Sequence, residues 1–484
     1  MLNLSELAVG RYRYNSPWTQ VTIIGFVTFC SVGMYSAISG LGAGGTQDPQ
    51  LTDTATGTLY GCFAISGFFA GSVNNILGPR LTLSLGTAGY SIYIGALWAY
   101  QAHGTRWFLI LAGAILGVSA ALFWAAQGAI MMAYPLEKDK GRAFSLAWTI
   151  FQLGALVGAA IALGIQANST LPNVSTGVYL VFMIIMLTSI FTSWLILPPH
   201  LVIRKDGSTV QVESAASPRE ELRAFAQQFR DWRLIALFPM FFSSNYFYAY
   251  QGALTQFLFT GRARALGSFL TSVGSIIGSL IFGFVTDQVP LSRRSRAITG
   301  WYLVLALNCF AWSCGLALQL QFSRGSTSLQ GQVLPWDWTH APSYAPLLLL
   351  CAYYMAEAAY QGLAYYIMSL LTSDASKLAR MAGYYKGVQS AGSAISFGMD
   401  AVKTPFLTEF IVSWALLLVS MPLSLWVIWT RLDEMARALQ NQLDDALDIH
   451  TCVPMRDSRR HEIEDELQAL TRLMGAVGAK ILQM

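Results

Sequence analysis

The chain has 484 residues, of which 54% are hydrophobic and 12% are charged, and its formal net charge is +4. The charged fraction is about half of the roughly 25% that is usual in soluble domains, which excludes a soluble globular protein. The small positive charge is accounted for by the loops on one side of a membrane and indicates no nucleic-acid partner.

Long apolar segments recur along the chain and predict membrane-spanning helices. A bilayer core of about 30 Å needs roughly 20 apolar residues in helical form, because lipid offers no partner for free backbone groups. Twelve segments meet this requirement: 18–40, 57–78, 81–101, 107–133, 143–165, 176–198, 234–259, 265–286, 298–320, 344–370, 381–401 and 406–429. We therefore expect an all-α polytopic membrane protein with twelve transmembrane helices in two six-helix bundles.

A polar stretch divides the spans into two equal sets. The predicted domains are a cytoplasmic N-terminal tail at 1–17, a six-helix bundle at 18–198, a linker at 199–233, a second six-helix bundle at 234–430 and a cytoplasmic tail at 431–484. Within the linker, the capping box Ser217-Pro-Arg-Glu220 precedes apolar residues at helical spacing and predicts an amphipathic helix at the membrane interface. This helix is a spacer between the halves or has a regulatory role.

The distribution of Lys and Arg predicts the orientation. Most of those before residue 431 fall on the loops of one side, whereas Arg106, Arg262, Arg264, Arg324 and Lys403 fall on the other. The positive-inside rule then places both termini in the cytoplasm. Because residues 1–17 are polar, we expect no cleavable signal peptide before the first span. We expect an integral multi-pass protein of the plasma membrane or an endomembrane.

One turn sequence occurs twice, at corresponding places in the two halves. The first copy is Gly71-Ser-Val-Asn-Asn-Ile-Leu-Gly-Pro-Arg80, and the degenerate second copy is Gly283-Phe-Val-Thr-Asp-Gln-Val-Pro-Leu-Ser-Arg-Arg294. Glycine lets two helices meet closely, and the polar residue and arginine that follow can pair across a short cytoplasmic loop. This duplication is typical of membrane transporters. The predicted gating residues are Gly71, Asn75, Arg80, Gly283, Asp287, Arg293 and Arg294.

A carboxylate lies at the centre of the tenth span. A charge at this depth costs on the order of 3 kcal/mol on insertion scales, so Glu357 is either functional or is held neutral by hydrogen bonds between helices. A group that binds and releases a proton as its exposure alternates could couple transport to protons. Gln361 lies one turn later on the same face.

Other polar and aromatic residues inside spans could line a site for an organic solute. Lys386 in the eleventh span is a cavity or gate residue, or it anchors the helix at the interface, and Gln389 continues its face. The remaining candidates are Tyr35, Trp124, Gln127, Asn245, Tyr248 and Gln251. Ordinary hydrogen bonding between helices is the alternative for these residues.

The sequence disfavours an enzyme. All the histidines fall in predicted loops or tails, and we find no nucleophile with a nearby base, no nucleotide-binding loop and no metal-ligand spacing. We therefore expect no metal and no cofactor. Concentrative transport would then use an ion gradient. No filter sequence or repeated ring of charges predicts a channel.

Two features lie outside the predicted bundles. Asn168 and Asn173 begin glycosylation sequons in an outer loop, although such triplets also arise by chance. The C-terminal tail has two apolar stripes, one at 432–447 and one at 463–481, which predict amphipathic helices. These helices bind a protein partner or rest on the membrane surface.

Four segments resemble the Unc-ninety-three-like branch of the major facilitator superfamily in its fungal form. They are Gly25–Gly45, Leu122–Trp148, Ser244–Phe269 and Gly383–Phe397. The resemblance implies a twelve-helix, two-bundle fold with a central cavity and, in many superfamily members, solute transport. For animal relatives it implies potassium-channel regulation or receptor chaperoning. Asn75 stands where the superfamily motif has Asp, whereas Asp287 keeps the acid, so an ionic latch is expected on the second half rather than on the first.

These observations predict a secondary-active transporter of a small organic solute that works by alternating access, with proton coupling through Glu357 as a hypothesis. One alternative is a non-transporting membrane regulator or trafficking chaperone. Another is an exporter of a secondary metabolite.

Overall fold

We describe the protein from a computed structural model, which covers residues 13–40, 49–166, 176–210, 218–289 and 292–452. Its helices are α1 (Pro17–Thr28), α2 (Met34–Gly40), α3 (Pro49–His103), α4 (Arg106–Ala133), α5 (Lys140–Gln166), α6 (Thr176–Thr192), α7 (Pro218–Gln228), α8 (Trp232–Ser243), α9 (Tyr248–Leu258), α10 (Gly261–Asp287), α11 (Arg293–Gln319), α12 (Tyr344–Leu371), α13 (Ala375–Ala401) and α14 (Phe406–Cys452). Between α11 and α12, Ser328–Leu329 (β1) and Gln332–Val333 (β2) pair as a short antiparallel hairpin.

The predicted all-α architecture of twelve spans in two bundles is confirmed. The first span consists of α1 and α2, which are joined by a π-helical turn at Phe29–Gly33. The second and third spans form one helical run, α3, which is kinked at Gly78. Gly78 has φ +77°, a left-handed conformation that glycine adopts without strain, and Pro79 follows it. The predicted boundary between these two spans therefore coincides with the kink.

Seven helical segments in the described part of the chain are long and apolar enough to cross a membrane by length and composition. The predicted spans outside this set include α12 and α13, which carry Glu357, Gln361 and Lys386 as buried residues. Polar side chains that face the protein interior lower the hydropathy of these two helices. The low hydropathy of α12 and α13 therefore reflects their position in the protein interior.

The seventh span is interrupted, which the sequence analysis did not predict. Helix α8 ends at Ser243 and α9 begins at Tyr248, and the four residues between them form turns. Pro239 lies inside α8, where it removes a backbone donor, and two serines and an asparagine follow it closely. The break brings Ser244 and Asn245 into the interior in the middle of a predicted span.

Glycines allow the two bundles to meet closely, mainly through α3 against α13 and α5 against α10. A Cβ atom on Gly67 would lie 2.6 Å from the Cα of Gly387. A Cβ atom on Gly71 would overlap the carbonyl oxygen of Ala379. Larger side chains at these positions would therefore separate the bundles.

The chain divides into two compact units, Met1–Ile428 and Trp429–Met484. The first unit contains all the residues of the site described below. In the second unit the chain is helical as far as Cys452. This helix includes the first of the two apolar stripes predicted in the C-terminal tail, at 432–447. The second stripe at 463–481 and the sequons at Asn168 and Asn173 lie outside the described residues.

Candidate functional site

A buried polar network, built mainly from the C-terminal bundle and reaching the N-terminal one, begins at Glu357. Its Oε1 accepts a hydrogen bond of 2.9 Å from the hydroxyl of Tyr248 on α9 and another from the Nε2 of Gln361, one turn later on α12. The rings of Tyr248 and Tyr354 stack with their centroids 6.1 Å apart. Glu357 is 4% exposed. Its carboxylate therefore receives two donors while it is shielded from solvent.

Gln361 connects Glu357 to Lys386 on α13. The amide nitrogen of Gln361 faces the carboxylate, while its Oε1 accepts a hydrogen bond of 3.0 Å from the Nζ of Lys386. Lys386 also donates to the Oε1 of Gln389, at 2.8 Å. Among the described residues, no ion pair within 4 Å joins Glu357 and Lys386, and Gln361 lies between them. One amide group therefore separates the acid from the base.

Gln389 joins the network to the break in the seventh span. Its Nε2 donates to the Oδ1 of Asn245 at 3.1 Å and to the hydroxyl of Ser244 at 2.9 Å. The same amide lies 3.2 Å from the hydroxyl of Tyr385, which pairs with Ser244 at 2.8 Å. The break between α8 and α9 thus supplies polar groups that complete the network. Ser244 and Tyr385 are members of this network that the sequence analysis did not predict.

Lys386 also contacts the other bundle. Its Nζ lies 4.5 Å from the ring centroid of Trp124 on α4, 4.8 Å from that of Tyr385 and 5.6 Å from that of Tyr365. A cation near aromatic faces is worth about 2 kcal/mol when it is desolvated. Lys386 is 2% exposed, so it lies inside the protein and not at its surface. Of the predicted site residues, Trp124 is the one that links the N-terminal bundle to the network.

Three predicted site residues lie outside this network. Tyr35 packs edge-on against Tyr90 and Tyr93, with ring centroids 5.6 and 5.8 Å apart. The amide nitrogen of Gln127 lies 2.9 Å from the sulfur of Met131, and its Oε1 has no partner within the described residues. Both amide atoms of Gln251 are likewise buried without a partner in the part of the chain that the structure describes.

A second group of contacts lies near the Gly78 kink and the start of α13, on the side that we predict to be cytoplasmic. The Nδ2 of Asn75 donates to the Oε1 of Glu221 at 2.9 Å and to the carbonyl oxygen of Ser376 at 3.1 Å. Arg380 NH1 donates to both carboxylate oxygens of Glu221, at 3.0 and 2.9 Å. We call Asn75, Glu221, Ser376 and Arg380 the linker latch. It joins α3 of one bundle to α13 of the other through the linker helix α7. The expectation that an ionic latch forms on the second half rather than on the first is therefore wrong, because Glu221 supplies the carboxylate that Asn75 lacks.

Phe225 of α7 and Phe229, which follows the end of that helix, pack on the same two helices. Phe225 lies 5.2 Å from Phe69, measured between ring centroids, and Phe229 lies 5.9 Å from Phe68 and 5.7 Å from Tyr384. The face that we expected to rest on the membrane interface therefore contacts protein. The sequence analysis did not identify Glu221 as a functional residue. The signal that could have found it was an acid one turn before Phe225, on the apolar side of an amphipathic helix.

The second copy of the turn sequence contacts the start of α5. The Oδ2 of Asp287 accepts a hydrogen bond of 2.5 Å from the backbone nitrogen of Arg142. A carboxylate is favourable at a helix N-terminus because of the helix dipole, so Asp287 caps α5 across the bundle interface. A Cβ atom on Gly283 would overlap the hydroxyl oxygen of Ser145, which shows how tightly the two helices pack.

The predicted arginines of the two turn sequences are not among the residues of the linker latch. Arg80 donates from its Nε to the carbonyl oxygen of Ile196, at 2.5 Å. Arg293 begins α11, and its side chain is outside the described part of the structure. Arg294 is exposed. Within the described ranges, no group of three His, Cys, Asp or Glu residues is arranged to hold a metal ion.

Comparison with known proteins places these features in a family. A family model described as "Ion channel regulatory protein UNC-93" matches residues 53–318. An UNC93-like protein of Schizosaccharomyces pombe is 36% identical over 440 residues, which are 90% of this chain and 87% of that protein. The chain belongs to the UNC-93 family. UNC93-like protein 1 of Arabidopsis thaliana is also 36% identical, over 87% of this chain and 91% of its own length.

Two further matches extend the comparison beyond the UNC93-like names. The Notoamide biosynthesis cluster protein O' of Aspergillus versicolor is 27% identical to this UNC-93 family member, over 82% of this chain and 85% of that protein. The crystal structure of the major facilitator superfamily transporter FucP in the outward conformation has a TM-score of 0.58 and 13% identity, and covers 86% of this chain and 99% of FucP. The likeness to FucP shows that the chain has the major facilitator fold.

Proposed function

We propose that this UNC-93 family member is a secondary-active transporter that moves a small organic solute by alternating access, coupled to protons. The moving bodies would be the bundles at 18–198 and 234–430, both termini would be cytoplasmic, and the protein would catalyse no covalent chemistry. The observation that carries the proposal is the network from Glu357 through Gln361 to Lys386, which ends on Trp124 of the other bundle.

The network supplies a physical route from protonation to bundle movement. Glu357 accepts hydrogen bonds from Tyr248 and Gln361, and these acceptor sites are strongest when the carboxylate is ionised. Protonation of Glu357 weakens its hydrogen bond with the amide nitrogen of Gln361. The amide oxygen of Gln361 accepts the hydrogen bond from Lys386. Because Lys386 contacts Trp124, a change at Glu357 alters the contact between the bundles.

The gating residues support the same proposal. The linker latch and the cap of Asp287 on α5 each join one bundle to the other on the predicted cytoplasmic side. Closure there depends on bonds that must break when this side opens. We propose that Gly71, Asn75, Gly283 and Asp287 gate this side of the protein. Gating roles for Arg80, Arg293 and Arg294 stay predictions.

Proteoliposomes containing the purified chain test the proposal even though the solute is unidentified. In an isotopically labelled yeast extract, an acidic exterior should drive at least one labelled organic solute into the lumen. We expect mass spectrometry to detect this accumulation, and a protonophore to remove it. Liposomes that accumulate no solute in either direction of the pH gradient would overturn the transporter assignment.

The name of the family model favours one alternative, a membrane regulator of another protein. Deletion of the tail after Arg431 separates the two functions, because the network and the gates lie before this point. We expect the truncated transporter to keep most of its flux in the proteoliposome assay. A regulator that acts through its tail would instead lose a co-purifying partner, and neither chain would show flux.

The Aspergillus relative named for a biosynthesis cluster favours a second alternative, an exporter of a secondary metabolite. A proton symporter and a proton antiporter need opposite pH gradients to accumulate solute in the lumen. The proteoliposome assay therefore distinguishes an importer from an exporter. An exporter by proton antiport would accumulate solute in the lumen when the lumen, and not the exterior, is acidic.

A further inference from the structure

We propose that the solute is a small organic monoanion with a carboxylate group, and that it binds Lys386 after Glu357 has been protonated. This inference rests on the proposed transport function and names its substrate class. It is drawn from the charges, the free hydrogen-bond donors and the position of this pair between the two bundles.

The charge balance of the site is the first step. Within the described residues, the Nζ of Lys386 has amide oxygens and ring faces as its partners and no carboxylate within 4 Å. Glu357 is nearby, beyond the amide of Gln361. While Glu357 is ionised the two charges cancel. After Glu357 is protonated, the site carries one buried positive charge, which is strongly unfavourable until an anion compensates it.

The second step concerns donors. A lysine ammonium has three N–H groups, and the hydrogen bonds to Gln361 and Gln389 use two of them. The hydroxyl of Tyr365 is buried and has no partner in the described structure. Its ring lies 5.6 Å from the Nζ of Lys386. A carboxylate has two oxygens, so one can accept from the third N–H of Lys386 and the other from Tyr365.

The third step concerns shape. Gly128, on α4 of the N-terminal bundle, lies against the ring of Tyr365. A Cβ atom added to Gly128 would lie 3.0 Å from this ring. A cavity of about 10 Å³, which is room for about one water, adjoins Tyr365 and is lined by Met131, Lys140, Phe144 and Gly362 among others. An organic carboxylate does not fit into this space, so the two bundles would have to separate before it could bind between Tyr365 and Lys386.

The proposed cycle keeps the reorienting states neutral. In the empty state Glu357 is ionised and Lys386 is charged. In the loaded state Glu357 is protonated, and Lys386 faces the anion. A state with only the proton or only the anion has a net buried charge, which a membrane interior disfavours. Transport would therefore move one proton with one monoanion and would be electroneutral.

Lys140 lines the adjoining cavity, where its Nζ donates to the carbonyl oxygen of Ser369. Among the described residues, the other titratable groups that face the pair are phenols. They are Tyr248 on α9, Tyr354 and Tyr365 on α12 and Tyr385 on α13, and Tyr60 on α3 interacts electrostatically with Tyr248 and Tyr354. Phenols are neutral at physiological pH. Glu357 and Lys386 are therefore the charged groups within the network itself.

The test uses the full chain in lipid nanodiscs with acetate, butyrate and benzoate, each paired with its primary amide. We expect at least one carboxylate to raise the unfolding temperature, with about tenfold tighter binding at acidic than at alkaline pH, and its amide to have no effect. Lys386→Gln should abolish this binding. Lys377→Gln, which changes an exposed lysine on the same helix, should keep it.

Two further variants keep the test decisive. Glu357→Gln imitates the protonated acid, so carboxylate binding should become independent of pH. Tyr365→Phe removes only the hydroxyl and should weaken binding several-fold, even if Lys386→Gln does not fold. Equal stabilisation by an amide and its carboxylate, or no stabilisation by any carboxylate, would overturn the inference.

The proteoliposome assay separates this inference from the proposed function. If the accumulated solutes are neutral or cationic, transport stands and the anion assignment fails. If no solute accumulates, the transport function itself fails.

Discussion

Glu357→Gln is expected to abolish pH-driven solute accumulation while exchange down a solute gradient continues. Glutamine keeps the size of the side chain and imitates the protonated acid, but it cannot release a proton. In the wild type, one unit of pH gradient can sustain about a tenfold concentration ratio through one coupled proton. In the variant this ratio should fall to about one, measured with the labelled solute in proteoliposomes.

Glu409→Gln is the matched control for this prediction. Glu409 is also a buried glutamate in a predicted span, but it accepts a hydrogen bond of 2.8 Å from Arg324, outside the central network. This variant should accumulate solute as the wild type does. Wild-type accumulation by Glu357→Gln would show that Glu357 is not the coupling residue and that its role is to join helices.

Glu221→Gln is expected to open the predicted cytoplasmic side. Arg380 is 8% exposed and would lose the negative charge that faces it in the closed state. Removal of one partner from a buried ion pair costs about 3–5 kcal/mol. Only the state with the latch formed loses this energy, so the equilibrium should shift toward the open state by more than about a hundredfold.

Spin labels on cysteines at Leu77 and Lys377, in a background without the native cysteines, would measure this opening. Both positions are exposed, one near the Gly78 kink of α3 and the other in the first turn of α13. The distance between the labels should increase in Glu221→Gln. Glu220→Gln changes the adjacent, exposed carboxylate of α7 and should leave the distance unchanged. An unchanged distance in both variants would mean that the linker latch does not hold this side closed.

Local patterns in the sequence were sufficient for the fold class and for the positions of several site residues. Apolar length determines a span, because each helix satisfies its backbone within itself. Gly78 followed by Pro79 determines the kink between the second and third spans, because few residues other than glycine adopt φ +77°. Glu357 was recognised because a carboxylate deep in a bilayer is costly unless it has partners.

Only the tertiary structure decided which of these residues meet. Asn75 and Glu221 are 146 positions apart, and Asn75 and Ser376 are 301 positions apart, so no local spacing predicts their hydrogen bonds. Glu357 and Lys386 lie in different predicted spans, and their positions in the sequence likewise did not predict that Gln361 bridges them. Side-chain contacts between helices depend on how the helices are rotated and how closely glycines let them approach. The sequence by itself therefore determined the helices and their polar residues, and the packing of the two bundles determined the network and the latch.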